Sequence, residues 1–428
     1  MNTMNTNLTL TFRKPGQTDT ILWMLIGFPF LFGALNDLLG LPWAIRYCID
    51  AAWCVGLLLM LRFRRSIDLQ PLNGLILWVF LFFAATLLIY PVLYQSALYY
   101  LWGLRNNFRF YVAFFACAAF LTRADAARYL KWMDRLFWIN AAVSLIQYLF
   151  LDLKGDYLGG IFGSEKGANS YTNLFFLIVT AKSLLSYLAR QETLLSFLAK
   201  WLTAALIAAL AEVKFFYVEL VLVLVLGLKF TGKSHKKFRI LLTGGLTLAL
   251  GIGLTTRVFP NLAGWFAPES IFHSAATDAG YTATGDLNRL NGIRVINETW
   301  LTTWPQRLFG LGLGNCETAS YPFLSTPFYL TNGDSHYTWM SYTMAYLETG
   351  YLGLIFYFGF FLGCYRCIRR MEHRNADPLF CRLAKIMAIC CPLIAIYNAS
   401  LRGESGYMAY FVLALPFLPN TATSRSCP

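Results

Sequence analysis

Residues 257–336 form the longest hydrophilic stretch of this 428-residue chain, and they hold four arginines and no lysine: Arg257, Arg289, Arg294 and Arg307. A guanidinium carries a planar fork of donors that fits phosphate or carboxylate, and it stays charged in a dry site. Arg289 and Arg294 are either ligands for an anion or structural partners of Asp286 and Glu298. Arg105 and Arg109 are four apart and share one helix face. Two unpaired cations at membrane depth point to an anion or a polar cavity; the alternative is snorkelling to the interface. Lys214 stands between Glu212 and Glu219, so an ion pair competes with a role in anion binding. His336 follows Asn332-Gly-Asp334-Ser335 where the stretch turns apolar again, and it is a candidate general base or orienting donor. Arg46 and Asp50, also four apart, are expected to pair with each other. Such a set would hold a phosphate or carboxylate beside a group able to take or orient a proton.

Other chemistries lack their residues. There is no Asp-x-Asp, no HExxH and no paired Cys/His set, so no metal is expected. Gly310-Leu-Gly-Leu-Gly314 is a glycine-rich turn without the Lys-Ser/Thr of a nucleotide loop, and no cofactor is expected. Cys364 and Cys367 form a lone CxxC, which does not make a zinc site. The ten cysteines show no disulfide framework.

The elements that must position these residues are membrane helices. The chain is 57% hydrophobic and only 13% charged, where a soluble domain carries about 25% charge. Apolar runs such as 21–35, 72–93 and 193–230 are too long for a globular core. In hydrocarbon only a helix satisfies its own backbone. The sequence therefore predicts an all-α, polytopic transmembrane protein, one membrane domain over 1–428, with about twelve spans. They fall near 21–36, 43–61, 72–92, 98–121, 136–151, 170–189, 193–212, 214–230, 238–256, 346–365, 383–398 and 406–419. The 193–230 run reads as a hairpin with Glu212 and Lys214 at its tip, and 122–135 as a separate short surface helix. Asn297–Trp304 reads as a short helix ended by Pro305.

Basic residues set the orientation. Arg13 and Lys14, Arg62 to Arg65, Arg123 to Arg135, Lys229 to Arg239 and Arg366 to Arg374 all fall on one side if both termini are cytoplasmic. The net charge of +13 then reflects the cytoplasmic loops, not nucleic-acid binding. Residues 257–336 become one large extracytoplasmic loop between spans nine and ten. No cleavable leader is expected, because the polar residues 1–20 are followed by no small-residue cleavage pattern.

In order and sidedness, several segments resemble a known family. Arg289-Leu290 and Trp300 precede Trp304-Pro305-Gln306-Arg307-Leu308-Phe309-Gly310-Leu-Gly-Leu-Gly314. Asp334-Ser335-His336-Tyr337 and Glu348-Thr349-Gly350-Tyr351-Leu352-Gly353 come after them. This looks like the O-antigen polymerase/ligase superfamily, the Wzy-like membrane glycosyltransferases, with their "NPLxGxGxG", "HN" and "ExGxxG" segments. Tyr337 stands where that family has Asn, and Gln306 and Arg307 are inserted before Leu308. Gly160-Ile-Phe162-Gly163 with Asn169, Ala211-Glu-Val-Lys214 and Gly103-Leu-Arg105 are similar to the family's upstream segments.

The resemblance implies a bacterial inner-membrane enzyme. It would join undecaprenyl-diphosphate-linked oligosaccharide repeats into a capsule, exopolysaccharide or O-antigen on the periplasmic face. His336, Arg289 and Glu348 would be catalytic, with Glu348 orienting the site or only capping its helix. Arg294, Lys214, Arg105 and Arg109 would bind the diphosphate or glycan. Its implied partners are the lipid-linked glycan, the bilayer, and a flippase and chain-length regulator of the same pathway. A ligase passing glycan to lipid A core or protein is the alternative. A transporter is a different class, and it would be expected to show two related halves that this chain lacks.

Overall fold

The structure of the protein, a computed structural model, describes residues 47–62, 69–93, 95–231, 280–282, 285–319, 321–374 and 376–419, with 33, 35–37, 40–42, 244–245, 249, 253 and 256–257. The expected spans near 21–36 and 238–256 lie largely outside these residues, as do 258–279. The described chain is helical, and its only extended pairing among the described residues is the single bridge Tyr281–Leu287. Four helical segments among the described residues are long and apolar enough to cross a membrane: Gln70–Leu93, Asn169–Leu188, Ser341–Glu372 and Pro378–Tyr397.

In chain order the longer helices are α1 (Tyr47–Arg62), α2 (Asn73–Ile89), α3 (Ala97–Phe120), α4 (Arg123–Phe150), α5 (Asn169–Leu188), α6 (Leu194–Leu210) and α7 (Phe215–Phe230). Three short helices come next, α8 (Gly292–Thr299), α9 (Trp304–Phe309) and α10 (Pro327–Asn332). The bundle closes with α11 (Ser341–Glu372), α12 (Pro378–Tyr397) and α13 (Gly406–Ala414). Helix α11 runs along α12; α13 fits between α3 and α12; α5 touches α6, α7 and α12. Aromatic rings fill the centre, with Tyr111 of α3, Phe360 of α11 and Tyr410 of α13 in mutual contact. By contrast α2 presents Phe80 and Leu88 outward, the pattern expected where lipid is the solvent.

Two local expectations are corrected. Residues 122–135 are not a separate surface helix but the first half of α4. Thr122 and Asp125 form a capping box, each side chain bonding the other's backbone N–H, and neither Gly nor Pro interrupts the helix between there and Phe150. The short helix expected over 297–304 lies earlier, at Gly292–Thr299, and Pro305 does not end it. Pro305 sits in the first turn of α9, where its missing N–H costs nothing, after Thr303 and Gln306 cap that turn. The predicted 193–230 hairpin is present as α6 and α7, joined at 211–214.

Candidate functional site

One cavity of about 440 Å³ opens at the end of the bundle where α3, α5, α7, α11 and α13 begin and α4, α6 and α12 finish. That volume lies within the usual range for small-molecule sites. Helix α3 supplies Trp102, Arg105, Asn106 and Arg109, a stripe at i, i+3, i+4 and i+7. Arg109 is twelve residues into α3, so the stripe reaches roughly 18 Å along the helix. The loop before α5, the α6–α7 turn, Arg289, Trp339 and the 397–404 segment complete the wall.

The wall is of mixed charge. Its cations are Arg105, Arg109, Lys166, Arg289 and Arg402, and its acids are Asp156, Glu165, Glu212, Glu317 and Glu404. Arg105 and Arg109 are not unpaired, as the sequence suggested. Asp50 of α1 reaches Arg105 Nη2 at 2.5 Å and Arg109 Nη1 at 3.6 Å. Arg109 also meets Glu404 at 3.3 Å and donates to the Arg402 carbonyl at 2.7 Å. Asp50 thus serves helix α3; Arg46, its expected partner, lies outside the described residues. The Arg105 guanidinium lies against both the Tyr47 and the Trp102 ring, 5.0 and 4.7 Å from their centroids.

Arg289 differs from these two. Its Nε donates to the Tyr397 carbonyl at 3.0 Å and its guanidinium lies 4.6 Å above the Tyr397 ring. No carboxylate is in ion-pair contact with it among the described residues, and its two terminal nitrogens remain for an anion. Arg294 does not join it. Arg289 sits in the turn before α8, so no helical offset links the two. Arg294 turns instead toward Gly280, where an added Cβ would lie 3.5 Å from its Nη2. Lys214 stands beside the cavity at the start of α7. Burial pushes its ammonium below the ordinary value, Glu212 acts against that shift and Arg289 adds to it.

His336 occupies the left-handed region at φ 53, and its Nδ1 lies 2.5 Å from Asp286 Oδ1. Its ring stacks on Trp339 at 3.9 Å. Trp339 lines the cavity and His336 does not, so the histidine stands behind the rim. A proton on Nδ1 is donated to this carboxylate, which orients the ring.

Glu348 lies behind the cavity wall. It is fully buried, its Oε2 accepts from Asn107 at 3.3 Å and lies 3.9 Å from Arg402. Arg402 in turn pairs with Glu317 and donates to Asn107 Oδ1 at 3.0 Å. Glu348 therefore backs Arg402 and does not itself line this cavity. The glycine-rich turn is structural too. Leu311 and Gly312 donate their N–H groups to the Leu347 and Glu348 carbonyls at 2.7 and 3.0 Å, so these donors are spent within the fold. Gly350 breaks α11 at φ 61, and an added Cβ would strike the Leu308 carbonyl at 2.5 Å.

The sequence reading missed Arg402, Glu404, Glu317 and Lys166. Arg402 carried a usable signal, a cation in the short loop between the last two predicted spans, on the same side as residues 257–336. Among the described residues no group of three or more His, Cys, Asp or Glu is placed to share a metal ion. No known family model matches the chain, and no curated protein matches it.

Proposed function

We propose that this chain is a polytopic inner-membrane glycosyltransferase that joins undecaprenyl-diphosphate-linked repeats on the extracytoplasmic face. The observation that carries the reading is Arg289, a cavity cation held by its Nε and ring stacking with its outer fork free of carboxylates. A leaving diphosphate develops charge in the transition state, and a preorganised fork stabilises it without reorganisation. Lys214 and Lys166 add positive potential beside it.

The paired arginines suit a different part of the substrate. Arg105, Arg109 and Arg402, each balanced by a carboxylate, offer alternating donors and acceptors to the hydroxyls of a glycan. Sidedness agrees with this use. The helix ends away from the cavity carry Arg123, Arg128, Arg190, Lys229, Arg366, Arg369 and Arg370. A basic cytoplasmic face supports an extracytoplasmic cavity, about twelve spans, and 257–336 as an outer loop. The lipid tail would remain in the bilayer while the diphosphate enters the cavity.

The deciding experiment incubates purified protein in vesicles with a defined undecaprenyl-diphosphate oligosaccharide and no nucleotide sugar. A ladder of lengthened lipid-linked product supports a polymerase. A single transfer to added lipid A core or protein assigns a ligase. No transfer with any acceptor refutes glycosyl transfer.

A further inference from the structure

Asp156 and Glu212 line the cavity with no cation in ion-pair contact among the described residues. Glu212 belongs to the turn between α6 and α7 and holds φ 60, a region that side chains other than Asn and Asp rarely enter. Its carboxylate rests on Gly155, where an added Cβ would meet Glu212 Cδ and Oε2 at 3.1 Å. No hydrogen-bond donor engages its oxygens among the described residues. Asn169 fixes the neighbourhood, its amide donating to Asp156 Oδ1 at 3.0 Å and to the Ala211 carbonyl at 2.9 Å. The acid loop and the Glu212 turn are thereby tied together. Lys214 and Arg289, the candidate anion-binding cations, lie in the same electrostatic neighbourhood.

We propose that Glu212, not His336, is the general base that accepts the proton of the incoming hydroxyl; this rests on the glycosyl-transfer reading above. The acceptor oxygen bonds to the anomeric carbon as its proton passes to the Glu212 carboxylate. The bond from that carbon to the diphosphate oxygen breaks, and its electron pair leaves with the lipid diphosphate. Glu212 then returns the proton to water in the open cavity. The environment favours this role. Burial in the wall and the neighbouring Asp156 charge hold the Glu212 carboxyl above the usual carboxylate range, against the pull of Lys214. A raised carboxyl is the stronger proton acceptor. His336 lacks the position, since Trp339 and not the imidazole faces the cavity.

The test uses the full chain in vesicles with the defined lipid-linked donor and compares Glu212→Asn with Glu212→Asp. Both replacements tolerate the left-handed backbone, but only Asp can take a proton. Polymer formation should fall roughly 10²–10⁴-fold in the Asn variant and much less in the Asp variant. Azide attacks as an anion with no proton to lose, so the Asn variant should form glycosyl azide as fast as the wild type. Wild-type polymer formation by Glu212→Asn overturns the proposal. Loss of azide transfer relative to wild type also overturns it, because Glu212 would then hold the donor or the fold. An inactive wild type instead refutes glycosyl transfer itself, and the role of Glu212 with it.

Discussion

Replacing Gly103 by alanine sets local and tertiary structure against each other. Gly103 lies inside α3, where alanine is favoured over glycine by about 1 kcal/mol. In the fold, however, the new Cβ would lie 2.4 Å from Gly314 N, 2.6 Å from Gly314 Cα and 2.7 Å from the Leu313 carbonyl carbon. All three are backbone atoms, so no side chain can swing aside. Contact at about 3.5–4.0 Å requires the glycine-rich turn to retreat by roughly 1 Å. That turn is pinned. Gly314 abuts the Tyr99 carbonyl, and the Gln95 amide donates to the Leu313 carbonyl. Overpacking of this kind costs about 3 kcal/mol at the upper end of its usual range. Weakening one bond to the Leu347 or Glu348 carbonyl adds about 1 kcal/mol. Subtracting the propensity gain leaves Gly103→Ala destabilised by roughly 3 kcal/mol. Gly56→Ala in α1 is the control, because its nearest neighbours stand 3.9 Å away and the gain of about 1 kcal/mol should survive. Both variants are compared with the parent by denaturant unfolding in one detergent. Equal stability of the two variants would refute the close approach of α3 and the turn.

The charges around the cavity set three further expectations. Arg402→Met should destabilise the protein by about 3–5 kcal/mol, since it leaves Glu317 and Glu348 buried without their cation; adding Glu317→Gln should recover part of that in the same unfolding assay. Arg289→Ala should lower polymer formation roughly 10²–10³-fold at unchanged protein level. Arg289→Lys should fall between, because an ammonium lacks the fork, and a wild-type ladder from the alanine variant would end the anion role. A cysteine at Glu165 beside the cavity should react with an impermeant maleimide in cells whose outer membrane is permeabilised, and one at Gln191 on the basic end should not; the reverse pattern would place the cavity in the cytosol.

Several elements were readable directly. The apolar run 193–230, interrupted by Glu212 and Lys214, can bury itself only as two helices with the charges at the turn, and it does. The positive φ of Gly310, Gly312 and Gly314 matches the turn expected there. Residues 122–135 were misread because alternating charge and apolar residues resemble a surface helix. In the fold the inward face of that segment, Tyr129, Leu130 and Met133, is fully covered by neighbouring helices, which composition cannot reveal.

The chain by itself determined that several of its segments are apolar enough to cross a membrane as helices, and that its basic residues collect in particular connecting stretches. These features arise from the cost of unsatisfied backbone and of charge in hydrocarbon, costs that act on each segment alone. Only the tertiary structure decided which arginines keep a free fork. Asp50 stands 55 residues from Arg105 and Glu317 stands 85 from Arg402, yet each neutralises its partner, while Arg289 meets a carbonyl and a ring instead. Charge pairing across helices depends on distance in space, and no spacing along the chain encodes it.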